Sequence, residues 1–167
     1  MNRSELYEVV NASPEAVWEV LFHQYGDIHE HNPGMQASHY MNGGSQGELH
    51  SVRHCAFNDK LYVDEKITEV DEANHWVKIE VLKHNLPFMK DMAATYELTD
   101  MGDGQTQVKM VSFNSFSPGF MKFLMQGRLK KLLAMHLFGM QYFIETGESV
   151  DAESYPNVLR SYQQAGS

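Results

Sequence analysis

The sequence predicts an α+β fold: a seven-stranded curved antiparallel sheet wrapped around a long C-terminal helix, with two short helices after the first strand. Three observations lead there. Residues 118–147 carry the longest unbroken helical pattern in the chain. Residues 35–116 read as strand after strand, joined by turns so short that consecutive strands must run antiparallel. One strand and two short helical segments precede them. A sheet of that width needs its apolar face covered, and the long helix is the segment large enough to cover it.

Taken in order, residues 4–11 (SELYEVVN) alternate as the first strand. Ser13-Pro14-Glu15 signals a helix start, with Ser13 as N-cap and Pro14 at the first helical position. Val17, Trp18, Val20 and Leu21 supply its buried side, and Gly26 breaks it. A shorter helix over Asp27–Glu30 runs into the turn Asn32-Pro33-Gly34. Six strands follow at 35–42, 48–57, 61–71, 75–84, 90–100 and 105–115. They are punctuated by Asn42-Gly43-Gly44, Asn58-Asp59, Asp71–Asn74, Leu86-Pro87 and Gly102-Asp103-Gly104.

In the long helix, Pro118 suits the first turn and Gly147 is a stop. At about 100° per residue, Met121, Met125, Leu129, Leu132, Leu133, Met140, Phe143 and Ile144 share one broad face with His136 in its middle. Gln126, Lys130, Gln141 and Glu145 fall opposite or at its edge. Such a helix is roughly 40 Å long. A strongly curved sheet around one rod leaves space between the two. The chain divides into a domain over 1–147 and a polar C-terminal tail over 148–167, with a short surface helix near 153–164.

Composition narrows the function classes. The 167 residues suit one domain able to bury about two-thirds of its unfolded surface. Hydrophobic content of 43% and aromatic content of 11% suit a folded globule. The formal charge of −9 argues against nucleic acid and against anionic membrane surfaces. Nine histidines soften that charge below about pH 6.5. The single cysteine, Cys55, rules out an internal disulfide framework and fits a reducing cytosol. The opening MNRSELYEVV lacks a signal pattern, and no apolar run approaches the roughly 18 residues of a membrane span. The expectation is a cytoplasmic protein without integral membrane association.

Order and local motifs together resemble the START-like superfamily in its SRPBCC, polyketide cyclase/dehydrase-like group, which has the helix-grip fold. The matching residues are Ser13-Pro14-Glu15-Ala16-Val17-Trp18, Tyr25-Gly26-Asp27 through Asn32-Pro33, then Gly47, Val52-Arg53 and Cys55. Glu65, Ile67, Asp71, Leu86-Pro87 and the Gly102–Gly104 hairpin continue the match, which spans roughly residues 4–147. The resemblance implies a hydrophobic cavity for small apolar or amphipathic molecules. It implies no single reaction, because carriers, sensors and enzymes share the fold.

Candidate polar residues follow from strand register. A three-residue loop Asn58-Asp59-Lys60 sets Phe57 opposite Leu61, Cys55 opposite Val63 and Arg53 opposite Glu65. Alternation then puts Arg53, Cys55, Phe57, Leu61, Val63, Glu65 and Ile67 on the cavity side. Arg53 with Glu65 is either a clamp for a ligand's polar group or a pair that neutralises itself. His136 is either an acid/base or a neutral core histidine. Tyr96 and Asn114 point inward if Met92, Ala94 and Leu98, or Val108 and Met110, mark the inner faces. Cys55 is a packed thiol or, beside Arg53, a thiolate. His29 with His31, and His50 with His54, lack zinc-site spacing, so neither a metal nor a cofactor is assigned. Methionines along the long helix are core, or the lining of a forgiving pocket.

The expected function is binding or transport of a small hydrophobic, lipid- or polyketide-like ligand between sheet and C-terminal helix. Its contacts are Arg53, Glu65, Cys55, Phe57, Val63, Ile67, Tyr96, Met110, Met125, Leu129, His136 and Met140. The alternative is a cyclase, aromatase or dehydratase-type enzyme acting on a hydrophobic carbonyl compound, with His136, Tyr96 and Arg53 as catalytic candidates. A protein-interaction domain is the third class, and oligomeric state is left open.

Overall fold

A computed structural model describes residues 1–166. Seven strands form one sheet: β1 (Asn2–Val10), β2 (Ala37–Tyr40), β3 (Val52–Ala56), β4 (Tyr62–Asp71), β5 (Trp76–His84), β6 (Met89–Gly102) and β7 (Gln105–Phe116). Their order is β1-β7-β6-β5-β4-β3-β2, and every neighbouring pair is antiparallel. β1 and β2 are thus opposite edges, and the short helices between them cross the concave side. Helix α1 (Pro14–Trp18) is capped by Ser13, whose Oγ accepts from Ala16 N–H at 3.2 Å. It continues as a π turn over Glu19–His23 and a 3-10 turn over Tyr25–Glu30.

Helix α2 (Lys122–Thr146) lies against the sheet. A 3-10 turn over Gly119–Met121 takes the first positions expected to be helical. Gly147 ends the helix at φ 76, and its N–H reaches Phe143 O at 2.8 Å. The main core gathers Trp18, Leu21 and Phe22 from the crossing, Ile67, Val77, Tyr96 and Val108 from the sheet, and Leu137 and Met140 from α2.

Register in the β3–β4 hairpin follows the three-residue loop, with Arg53 opposite Glu65 and Cys55 opposite Val63. β3 starts at Val52 rather than residue 48, because the backbone kinks at His50, whose φ is 74, although His50 N–H and Ser51 O still bond Ile67 on β4. Gly47 N–H donates to His23 O at 2.8 Å, and Ser51 N–H turns back to Glu48 O at 3.0 Å.

Two helix-face expectations need correction. Gln141, placed at the polar edge, is buried, and its Nε2 donates to Val9 O at 2.6 Å and Tyr162 Oη at 3.1 Å. Leu132, placed on the buried face, is 47% exposed. The residues after Gly147 explain the first. They form helix α3 (Tyr155–Ala165), whose Tyr155 and Tyr162 rings stand 5.8 and 5.4 Å from Phe138 on α2. Val150 is buried, and Ser149 Oγ donates to Glu30 O at 2.6 Å. The polar-looking tail is packed onto the helix.

Candidate functional site

Beneath the first half of α2 lies a cavity of about 480 Å³. Its floor is inward-facing strand residues: Ile79 and Val81 on β5, Met92, Ala94 and Tyr96 on β6, Met110 and Ser112 on β7. Its roof is Met125, Leu129, Leu133 and His136 on α2. The space has a local cause. Ala94 and Ser112 are cross-strand partners, so two small side chains sit together where the floor could have risen to meet the helix.

Arg53 occupies the β3–β4 side of the wall. Its Nη2 and Nε both reach Glu65 Oε2, at 2.6 and 2.8 Å, and its Nη1 donates to Tyr25 O at 2.8 Å. The guanidinium carbon stacks 3.9 Å from the Tyr25 ring centroid. Burial opposes the charge, yet the Glu65 carboxylate outweighs it and holds the Arg53 pKa above its ordinary value. Arg53 therefore keeps its charge, and the two side chains satisfy each other.

Across the cavity wall, Tyr96 Oη and His136 Nε2 are 3.0 Å apart. Burial brings the His136 pKa down to about 3 and pushes Tyr96 up, so both are neutral at pH 7. A protonated phenol donates to Nε2, which leaves the imidazole proton on Nδ1. That atom has no hydrogen-bond partner among the described residues. His31 stacks on His136 with ring centroids 6.0 Å apart; burial, and His136 next, hold it well below its usual pKa.

Arg53, Phe57, Glu65, Tyr96, Met110, Met125, Leu129 and His136 all line the cavity. Cys55, Val63, Ile67 and Met140 do not. Cys55 and Val63 share the inner face but are covered by Ile28 from the crossing turn. Ile67 and Met140 lie in the solid core beside Trp18 and Phe22. Burial pushes the Cys55 thiol up to about 12, so it is no thiolate even with Arg53 close by. The paired histidines separate: His29 Nδ1 contacts Ser38 Oγ at 2.7 Å while His31 is buried, and His54 Nδ1 meets Asp64 at 2.6 Å on the outer face. Asn114 points inward, meeting Asn2 rather than the cavity.

Ile79 and Val81 were within reach of the alternation argument and were missed. Asn32 and Met35, which also line the cavity, come from a loop whose path no periodicity announces.

The protein family described as "Polyketide cyclase / dehydrase and lipid transport" matches residues 3–135. Among solved structures the chain is similar to the crystal structure of Ara h 8.0201, at 14% identity and TM-score 0.69, covering 86% of this chain and 97% of that one. It is similar to XoxI from Bacillus cereus at 15% identity and TM-score 0.66, covering 86% and 96%. A protein from Nitrosospira multiformis matches at 14% identity and TM-score 0.63, covering 83% and 96%. At such identities these structures speak for the fold. No curated protein sequence matches the chain.

Proposed function

The chain belongs to the polyketide cyclase/dehydrase and lipid-transport family, and from that premise we propose that it binds a small, uncharged, hydrophobic molecule between the sheet and the first half of α2. One observation carries the reading: a 480 Å³ apolar cavity exists whose buried cation, Arg53, is already neutralised by Glu65. An anionic group pushed inside would have to compete with a desolvated carboxylate for that guanidinium. An apolar body meets no such cost. Burying roughly 300 Å² of it is worth about 7 kcal/mol before the costs of association. The unpartnered Nδ1–H of His136 suits a single carbonyl or hydroxyl oxygen on the ligand.

The neutral dye N-phenyl-1-naphthylamine tests this. It is expected to bind with a fluorescence gain, while its sulfonated relative binds more weakly. Leu129→Trp, which fills the cavity from its roof, is expected to abolish the gain at unchanged thermal stability. Equal fluorescence in that variant would remove the cavity as the site.

The Tyr96–His136 contact favours a second reading, a cyclase, aromatase or dehydratase-type activity on a hydrophobic carbonyl compound. A histidine with a pKa of about 3 is a poor base at neutral pH, which ranks this reading below binding. Turnover of a model polyketide, lost in His136→Phe and Tyr96→Phe with ligand affinity retained, would reverse the ranking.

A further inference from the structure

α2 begins at the most exposed apolar stretch of the molecule. Phe123 is 86% exposed, and Phe120 and Leu124 are each 64% exposed. Three large apolar side chains left together in water mark a surface that something else covers. Phe88 joins them, because Ser117 N–H donates to Phe88 O at 2.9 Å and brings the β5–β6 loop against the start of the helix. The same two segments supply the rim of the cavity: Leu86 and Pro87 from the loop with Met89 opening β6, and Arg128 and Leu132 from α2. The patch therefore borders the mouth.

Charge is distributed around it in a way the whole-chain value hides. No acidic residue occurs between Asp103 and Glu145, whereas Lys122, Arg128, Lys130 and Lys131 are all present and exposed. The nearby Asp91 accepts from Ser115 Oγ at 2.6 Å and sits next to Lys90. At about 100° per residue, Phe123, Lys130 and Lys131 fall on the side of α2 turned away from Met125, Leu129 and Leu132. Screening acts over about 8 Å at physiological salt, so a surface meeting the start of α2 senses the cations there before the net −9, although Asp59, Asp151 and Glu153 flank the cavity-lining Asn58 and Ala152.

We propose that this end docks peripherally on an anionic phospholipid membrane. Phe120, Phe123 and Leu124 enter the boundary between headgroups and acyl chains, and Lys130 and Lys131 meet the headgroups. The cavity mouth then lies at the edge of the docked face, on the Arg128 and Leu132 side of α2. The expectation from net charge, that anionic membranes are disfavoured, is replaced by one based on where the charges lie. The docking does not depend on what the cavity holds.

Vesicle sedimentation tests it. The wild-type protein is expected to pellet with mixed phosphatidylcholine/phosphatidylglycerol vesicles at low salt and to be released as salt rises. It should remain in solution with phosphatidylcholine alone. Phe123→Ser with Leu124→Ser should lower partitioning at least about tenfold. Lys130→Gln with Lys131→Gln should lower it roughly thirtyfold. Leu82→Ser, at an exposed apolar position on β5, should change nothing. Phe123, Leu124 and Leu82 are at least 57% exposed, and Lys130 and Lys131 are exposed, so circular dichroism should be unaltered in each variant. The proposal is overturned if the wild type stays in the supernatant, if it pellets equally with neutral vesicles, or if either double variant pellets like wild type. It is also overturned if size exclusion shows a dimer that Phe123→Ser with Leu124→Ser dissolves, since the patch would then belong to a second copy.

Discussion

From His136 to Gln141, α2 is buried on every side, whereas from Lys122 to Met135 it rests over a void with its outer face in water. Both stretches are rich in Leu, Met and Phe, so hydrophobicity alone does not separate them. Their neighbours do. The later half has α3 behind it, with Tyr155 and Tyr162 against Phe138. It also has the turn His31–Pro33 pressed onto Gly139, where an added Cβ would meet Pro33 Cδ and come within 2.5 Å of His31 O. The earlier half faces Ala94 and Ser112, too small to reach it. One helix is a structural bolt at one end and a roof at the other. Its apolar residues hold the fold together in the first role and present a greasy surface in the second.

The sharpest way to break this contrast is Gly139→Ala. The new methyl has to displace backbone, so a loss of about 3 kcal/mol is expected in urea unfolding. A loss below about 1 kcal/mol would mean that close approach at this point does not hold the packed half. Acid comes next. The folded protein keeps His136 uncharged down to about pH 3, while the unfolded chain takes up a proton near 6.5. Stability is therefore complete above that unfolded value and falls as pH drops toward 3, by about 1.4 kcal/mol per unit for this histidine. His31, also held well below its ordinary value, steepens the slope. His136→Gln should flatten it in a series of unfolding curves; an unchanged slope would place the linkage elsewhere. The smallest effect tests the roof. A Cβ at Gly127 meets nothing within 4 Å, so Gly127→Ala should raise stability by about 1 kcal/mol through helix propensity alone. Destabilisation there would show that the roof packs against something.

Much of the architecture was legible because it rests on local rules. Turn residues fixed where strands end, and the length of the Asn58–Lys60 loop fixed that Arg53 faces Glu65. Strand faces were legible too, unlike the faces of α2 that carry Leu132 and Gln141. What alternation cannot tell is how far along a strand the covering element stands. Cys55, Val63 and Ile67 share an inward face with Arg53 and Glu65, yet Ile28 and the core around Trp18 cover the first three.

By itself the sequence determined the α+β class, the antiparallel pairing of the consecutive strands β2 to β7, the C-terminal end of the long helix and that Arg53 faces Glu65, because each follows from neighbours in the chain or from a fixed period. Only the tertiary structure decided that Gln141 is buried, that His136 meets Tyr96 and His31, and that a cavity lies under one half of α2. Those depend on segments far apart in sequence arriving at one place, and on whether the side chains that meet there are large enough to fill it.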